Sequence, residues 1–131
     1  MKFSTNTRYG LRAITYIAKQ DSICSIAKIS EAEQISYTYL EKIISKLVKV
    51  NLLKVKHGVK GGYVLSKDPK DITVEDVVEA LERNNFPAPC VNKQYKCPRR
   101  NICLTKSIWK KIDESISSVL KNLSIKDLIS S

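Results

Sequence analysis

The sequence predicts a mainly α-helical fold with one small β-hairpin, and three observations support this prediction. Apolar residues recur at helical spacing in most of the 131-residue chain. Two short periodic segments, joined by a tight connection, each follow a serine, which is a preferred helix N-cap. A glycine-rich turn then separates two runs typical of strands. Helix, helix, turn, helix and hairpin in this order indicate a winged helix-turn-helix.

Helix starts and apolar stripes predict the individual elements. The first helix is expected over residues 8–20. The second is expected after Ser25 and ends near Glu33, and the third follows Ser36. The hairpin, residues 52–65, has its glycines at the tip. The later elements are a fourth helix capped by Thr73, a long helix over residues 105–123 and a short turn capped by Ser124.

The charge of the chain favours a polyanionic partner. Lysine and arginine number 23 against 13 acidic residues, a formal charge of +10 with a pI near 9.5. Such a balance is typical of proteins that bind DNA, RNA or an acidic membrane. Eight lysines between residues 42 and 70 stand against Asp68 alone. A solvated lysine-rich surface is the alternative, but the overlap with the helix-turn-helix favours double-stranded DNA.

Membrane, secreted and enzymatic classes are disfavoured. No apolar run approaches the roughly 18 residues that span a bilayer. Residues 1–9 are too polar for a signal peptide, so a cytoplasmic location is expected. The chain has one histidine and no evident Ser-His-Asp set, phosphate-binding loop or pair of catalytic carboxylates. We therefore predict a protein that is not an enzyme.

Candidate DNA-binding residues lie at the start of the third helix and in the hairpin. A recognition helix enters the major groove with polar and aromatic side chains near its N-terminus, where phosphate is also favoured. Hairpin glycines let the backbone approach the duplex closely. The predicted contacts are Ser36, Tyr37, Thr38, Tyr39, Lys42, Lys46, His57, Lys60 and Gly61.

Three of the four cysteines lie close together in the sequence, at Cys90, Cys97 and Cys103. Residues 84–102 contain three prolines and little periodicity, which predicts an irregular loop. Clustered cysteines in a reducing compartment indicate a metal or redox site before a structural disulfide. Four cations and no acid accompany them, and positive charge stabilises thiolates.

Several chemistries suit three thiols on a flexible loop. An iron–sulfur cluster is the preferred interpretation, because spacings of this kind let thiolates converge on one cluster. A zinc ion, free thiols that form a disulfide on oxidation, and no sensing role are the alternatives. A ferredoxin-like electron carrier would not need the lysine-rich helix-turn-helix. Cys24 stands apart and is expected to be a small buried or boundary residue.

The long C-terminal helix carries a broader apolar stripe than the core of a small domain requires. Packing within the core is one interpretation. Packing against the same helix of a second copy is preferred, because palindromic operators need two recognition helices about one DNA turn, roughly 34 Å, apart. The predicted homodimer interface comprises Ile108, Trp109, Ile112, Ile116, Val119 and Leu120.

Three motifs together resemble a known family. They are Arg8-Tyr9, residues 35–41 (ISYTYLE) and residues 58–63 (GVKGGY). The combination is similar to the IscR-type iron–sulfur cluster regulators of bacteria, a family of winged-helix transcription regulators that includes the NsrR and CymR types. The resemblance covers nearly the whole chain, including the cysteine loop. It implies a dimeric winged helix with the C-terminal helix as the dimerisation element.

The resemblance also implies roles for particular residues. It places Glu41 with Ser36, Thr38 and Tyr39 at the DNA-reading positions of the family. A carboxylate there can accept a hydrogen bond from a cytosine amino group or repel phosphates. The three late cysteines would ligate an iron–sulfur cluster, with a two-iron form favoured over a four-iron form. Some relatives have histidine where this chain has Lys106, which leaves the fourth ligand open. Members of the family often have arginine at the position of His57. A contact of the hairpin with the minor groove would therefore be weaker in this chain.

The sequence thus predicts three parts: a DNA-binding domain in residues 1–83, a cysteine loop in residues 84–104 and a dimerisation helix in residues 105–131. The predicted function is a transcription repressor whose operator binding is modulated by the cluster. Its expected targets are genes of iron–sulfur cluster assembly or related stress responses. A CymR-like regulator of cysteine metabolism without a cluster, under thiol or partner control, and a nitric-oxide sensor are the alternatives.

Overall fold

A computed structural model describes residues 2–83 and 86–131 of the chain. Within these residues the elements follow the predicted order, and the predicted fold class is confirmed. The α-helices are α1 (Thr5–Gln20), α2 (Ile26–Glu33), α3 (Tyr37–Lys49), α4 (Val74–Leu81), α5 (Lys106–Asn122) and α6 (Ile125–Ile129). The antiparallel strands are β1 (Leu53–Lys56) and β2 (Gly62–Leu65), and short 3-10 turns span Pro69–Asp71 and Pro89–Val91.

The predicted helix caps are confirmed at four positions. Ser25 and Ser36 each accept a hydrogen bond from the backbone amide three residues further along, at 3.1 and 3.2 Å. Thr73 and Ser124 form reciprocal capping boxes with an aspartate three residues on. Because these hydrogen bonds are local, the sequence is sufficient to predict them.

The first helix begins at Thr5 rather than at residue 8, so its predicted start was wrong. Ser4 caps it by accepting a hydrogen bond from the Thr7 amide at 3.3 Å. The Glu82 carboxylate, just after α4, accepts hydrogen bonds from the Ser4 amide and hydroxyl and, at 2.5 Å, from the Thr7 hydroxyl. A partner this far away along the chain leaves no local signal in the sequence.

The core lies between α1, α2, α3 and α4. Its largest fully buried side chains include Ile14, Ile29, Leu40, Ile44, Leu47 and Ile125. α1 and α4 approach closely at Gly10, where an added Cβ would lie 2.1 Å from the Leu81 side chain. Gly10 therefore fixes the separation of these two helices.

The chain leaves this core along α5 and returns to it in α6. No residue of α5 is buried, whereas Ile125 of α6 is fully buried in the core. The Val74 amide donates to the Leu123 carbonyl, and the Ile125 amide to the Ile72 carbonyl, each at 2.8 Å. Helix α6 thus packs with the N-terminal part of the chain. The predicted division into residues 1–83, 84–104 and 105–131 stays a prediction. None of the described helices has the length and apolar character needed to cross a bilayer.

Candidate nucleic-acid interface and cysteine loop

The recognition-helix candidate, α3, has one buried face and one solvent face. The solvent face borders an open groove of about 770 Å³. From α3 the groove is lined by Thr38, Glu41, Lys42, Ser45, Lys46 and Lys49, together with Asn6 of α1 and Tyr63 of β2. Four of the predicted contact residues therefore share one surface. Ser45 and Lys49 could have been found from their helical spacing, whereas Asn6 is placed there only by the fold.

The first turn of α3 divides its side chains between solvent and the protein body. Tyr37 is half exposed (50%), and Thr38 is also exposed. Ser36 is occupied as the helix cap, accepting from the Tyr39 amide. The Tyr39 ring packs edge-on against Tyr9 of α1, with centroids 5.5 Å apart. Tyr37 and Thr38 are thus the side chains of this turn that are most available to a partner.

The hairpin tip carries the remaining predicted contacts. Residues 57–60 are all exposed, His57 and Lys60 among them. Gly58 has φ of 120°, a conformation that suits glycine. The Gly61 amide donates to the Gly58 carbonyl at 3.0 Å, and a Cβ on Gly61 would lie 2.2 Å from the Lys56 carbonyl oxygen. Gly61 therefore permits the tight turn, and its backbone is partly exposed at the surface.

The base of the hairpin is tied to the segment that precedes α2. Cys24 and Tyr63 exchange two backbone hydrogen bonds, at 3.0 and 2.8 Å. A Cβ on Gly62 would lie 2.5 Å from the Cys24 carbonyl oxygen. Cys24 is fully buried, as predicted, and burial raises the pKa of its thiol despite the nearby charge of Lys28 and a hydrogen bond with Ser22. The hairpin is thus held at a fixed position beside the helix-turn-helix.

Positive charge runs along both elements of this surface. Lys42 and Lys49 of α3 are exposed and Lys46 is half-buried, while Glu41 is the one acidic residue of the helix. The hairpin adds Lys54, Lys56 and Lys60, all exposed. A field of this sign attracts the phosphate backbone of a nucleic acid.

The three late cysteines lie on a loop beside the start of α5. All are free and partly exposed. Cys90 lies in the 3-10 turn, and the carbonyl of Cys97 accepts from the Arg100 amide at 3.2 Å. The predicted irregular loop is confirmed for the described residues apart from that turn; Asn84 and Asn85 lie outside them.

Cys103 has the most distinctive environment of the three. Its Sγ lies 3.3 Å from the Thr105 hydroxyl. Hydrogen bonds with the Thr105 side chain and backbone, with smaller contributions from the Lys106 amide and the Arg99 charge, lower the pKa of Cys103. The Lys106 ammonium donates to the Arg100 carbonyl at 2.8 Å and so ties the start of α5 to the loop backbone.

An iron–sulfur cluster fits the residue types of this loop but not their arrangement. Three thiols among cations are suitable donors for an anionic cluster. In the part of the chain that the structure describes, however, no three His, Cys, Asp or Glu side chains are gathered closely enough to hold a metal ion. Holding a cluster would require Cys90, Cys97 and Cys103 to move together.

The helix-turn-helix, the adjoining hairpin and their basic surface define a winged-helix DNA-binding regulator. The sequence matches the family Rrf2, "Iron-dependent Transcriptional regulator", over residues 3–131. The chain belongs to the Rrf2 family of transcription regulators. The family resemblance stated above is thereby confirmed, and transcription regulation is the function of the family.

Individual relatives are similar over almost the whole chain. Protein rrf2 of Nitratidesulfovibrio vulgaris is 37% identical, over 98% of this chain and 87% of that protein. The HTH-type transcriptional regulator IscR of Yersinia pseudotuberculosis is 35% identical, over 98% and 79%. Among solved structures, CymR of B. subtilis gives a TM-score of 0.81 at 31% identity, covering 99% of this chain and 97% of that one. T. potens IscR gives 0.82 at 32%, covering 99% and 87%.

Proposed function

We propose that this protein is a repressor that binds operator DNA through α3 and the hairpin. The observation that carries the proposal is the shared groove: the solvent face of α3 lies beside the hairpin, and lysines run along both. A helix face next to a basic hairpin matches the way winged helices bind the major groove and its flanking phosphates.

Eight of the ten predicted contacts have a role that suits their position, whereas Ser36 caps α3 and Tyr39 packs against Tyr9. Tyr37 and Thr38, exposed in the first turn of α3, would reach base edges or phosphates. Lys42 and Lys46 would bind phosphates, and Glu41 would accept a hydrogen bond from a cytosine amino group. The hairpin would contribute His57, Lys60 and the backbone at Gly61 to the neighbouring phosphates or minor groove.

The DNA proposal is tested by matched charge removals. In gel-shift titrations with fragments from the host's promoters, the pair Lys42→Gln and Lys46→Gln should weaken binding and reduce the log–log salt slope by about 1.8 per protomer, or about 3.6 for the proposed dimer. The pair Lys110→Gln and Lys111→Gln, exposed on α5, is the control and should leave both unchanged. Equal affinities for the two pairs would contradict the assignment of α3.

We also propose a homodimer formed through α5. Ile108 and Val119 are 46% and 58% exposed, and Trp109 and Ile112 are partly exposed. Ile116 and Leu120 instead line a groove of about 290 Å³ between α5 and α4. The apolar residues of α5 thus serve two surfaces, and a second copy would cover the outward one.

For the cysteine loop we propose control of operator binding by an iron–sulfur cluster held by Cys90, Cys97 and Cys103. We favour a two-iron form of the cluster. We propose that the protein acts in the cytoplasm and that its targets are genes of cluster assembly or of related stress responses. The family description and the donor set support this assignment. When bound, such a cluster supplies a redox-active iron centre.

A second candidate is a regulator of cysteine metabolism that holds no cluster and is controlled by its thiols or by a partner protein. The observation that favours it is that the three thiols of this loop are free and partly exposed. The likeness to CymR of B. subtilis, described as the global cysteine regulator, points the same way. A nitric-oxide sensor would use the same loop with a cluster.

Anaerobic purification separates these candidates. We expect iron and sulfide in stoichiometric amounts, with visible absorption that is lost when Cys90, Cys97 and Cys103 are changed to alanine. Cys24→Ala is the matched control, because Cys24 is fully buried and pairs with Tyr63 of the hairpin. A colourless wild-type protein without iron would exclude the cluster and favour thiol control.

A further inference from the structure

One face of α1 contacts both helices of the helix-turn-helix. The Arg12 Nε atom lies 3.2 Å from the Glu33 carboxylate, and Nη2 donates to the Glu33 carbonyl at the end of α2. The Arg12 guanidinium also lies over the Tyr9 ring, 5.4 Å from its centroid. Tyr9 in turn packs edge-on against Tyr39 in the first turn of α3. Two residues of α1, one helical turn apart, thus link the end of α2 to the start of α3.

The connection between α2 and α3 comprises only residues 34–36, so contacts on either side of it bear directly on the angle between the two helices. Gln34 adopts a left-handed conformation with φ of 53°, and Ile35 is buried. Ser30 binds both peptide groups of Ile35: its carbonyl accepts at 3.2 Å and its hydroxyl donates at 2.5 Å. The contacts of Arg12 and Tyr9 lie immediately before and after this turn.

We propose that Arg12 and Tyr9 are positioning residues that fix the angle between α2 and α3. The inference rests on the proposed function of α3 as the recognition helix. Base contacts require side chains held within about 0.5 Å of their working positions, whereas attraction to phosphates depends mainly on charge. Loss of these contacts therefore lowers affinity for a specific sequence and leaves general affinity for DNA nearly unchanged.

A direct phosphate contact is the competing role for Arg12, whose side chain is 45% exposed. A substitution that removes the charge of Glu33 distinguishes the two roles, because they predict opposite changes in DNA affinity. If Arg12 only attracts phosphate, removing the negative charge of Glu33 strengthens DNA binding. If Arg12 positions the turn, Glu33→Gln weakens specific binding, because the ion pair is lost.

The experiment uses a duplex selected by the wild-type protein from a random library, with a scrambled duplex as the non-specific probe. We expect Arg12→Gln and Glu33→Gln each to weaken binding of the selected duplex about threefold. The double variant should be no weaker than Arg12→Gln, and Glu33→Gln should not weaken binding of the scrambled duplex. Arg8→Gln is the matched control: it removes an exposed arginine of α1 that donates to Thr5 of the same helix.

Amide hydrogen exchange without DNA gives a second measurement. Exchange at residues 34–39 should accelerate in Arg12→Gln and Glu33→Gln but not in Arg8→Gln, while the hairpin amides stay unchanged. Specific binding by Glu33→Gln as tight as that of the wild type, or unchanged exchange at the turn, would overturn the proposal. If the wild type selects no duplex, the proposed function fails, and the exchange measurement still decides the role of Arg12.

Discussion

The carboxylate of Glu82 holds the N-terminal end of α1 from outside that helix. Burial alone raises its pKa, but hydrogen bonds from Thr7 and Ser4 outweigh burial and bring the pKa below its ordinary value of 4.5. Thr7 is only 1% exposed, so its hydroxyl has no ready access to water if the carboxylate is removed. Glu82 therefore satisfies a buried polar group while it joins α4 to α1.

We expect Glu82→Ala to lower the free energy of unfolding by about 1–3 kcal/mol at pH 7, because the Thr7 hydroxyl and the Ser4 amide lose their acceptor. With a lowered folded-state pKa, the stabilisation by ionised Glu82 is present above pH 4.5 and disappears as the pH falls through the folded value. Urea unfolding of both proteins at pH 7 and pH 3.5 measures the difference, which should shrink in acid. Glu79→Ala, exposed on α4, is the control, and an equal loss there would refute the specific role of Glu82.

At the scale of elements, the hairpin depends on its contact with the Cys24 segment. Gly62 permits that contact, since a side chain there would collide with the Cys24 carbonyl. The two ends of the hairpin differ: its base pairs with the Cys24 segment, whereas its tip, residues 57–60, is exposed. Variants at the two ends should therefore have different effects.

Gly62→Ala should lower the free energy of unfolding by about 1–3 kcal/mol, because β2 must move away from Cys24 and strain the paired backbone. Lys60→Ala, at the exposed tip, should leave stability within about 0.5 kcal/mol and weaken DNA binding alone. Thermal unfolding and gel-shift titration of both variants provide the comparison. A stable Gly62→Ala protein would mean that the close approach at Cys24 is dispensable.

The elements that the sequence predicted well are those with local causes. Caps at Ser25, Ser36, Thr73 and Ser124 need only a nearby amide, and each was correctly predicted. The contact of Tyr39 with Tyr9 and the pairing of Cys24 with Tyr63 depend on the tertiary fold. No periodicity could have revealed them.

Part of the candidate site was open to prediction for the same reason. The lysines and the first turn of α3 were found because one helix face collects residues at regular spacing. The division of α5 between two surfaces could not be predicted, because a single apolar stripe does not show which neighbour each side chain will contact. Likewise, cysteine spacing indicates a shared ligand but does not specify how an irregular loop arranges Cys90, Cys97 and Cys103.

At the scale of the whole molecule, the outward face of α5 is the surface through which we propose that two copies associate. Its exposed apolar side chains lie on a helix that packs against α4 and the 89–91 turn of the same chain. A second copy related by two-fold symmetry would bury the same residues on both chains. Substitutions there should thus affect association without loss of the fold.

The double variant Ile108→Lys, Val119→Lys should sediment as a monomer of about 14.8 kDa and bind a two-half-site operator less tightly than the wild type does. Its circular dichroism should be unchanged, because both side chains are already exposed. Val59→Lys, at the fully exposed hairpin tip, is the control and should remain dimeric. Dimeric sedimentation of the double variant would show that another surface joins the copies.

The return of the chain from α5 into the core has a mechanical consequence. The C-terminal end of α5 is fixed by the Val74–Leu123 hydrogen bond and by the burial of Ile125, whereas its first turn follows the cysteine loop. Its 17 residues make a rod about 25 Å long. Pivoting this rod by about 5° around its fixed end displaces the far end by about 2 Å. In the proposed dimer, a rearrangement among the thiols would therefore change the direction of α5 and with it the relative orientation of the two recognition helices, while each winged helix keeps its own fold.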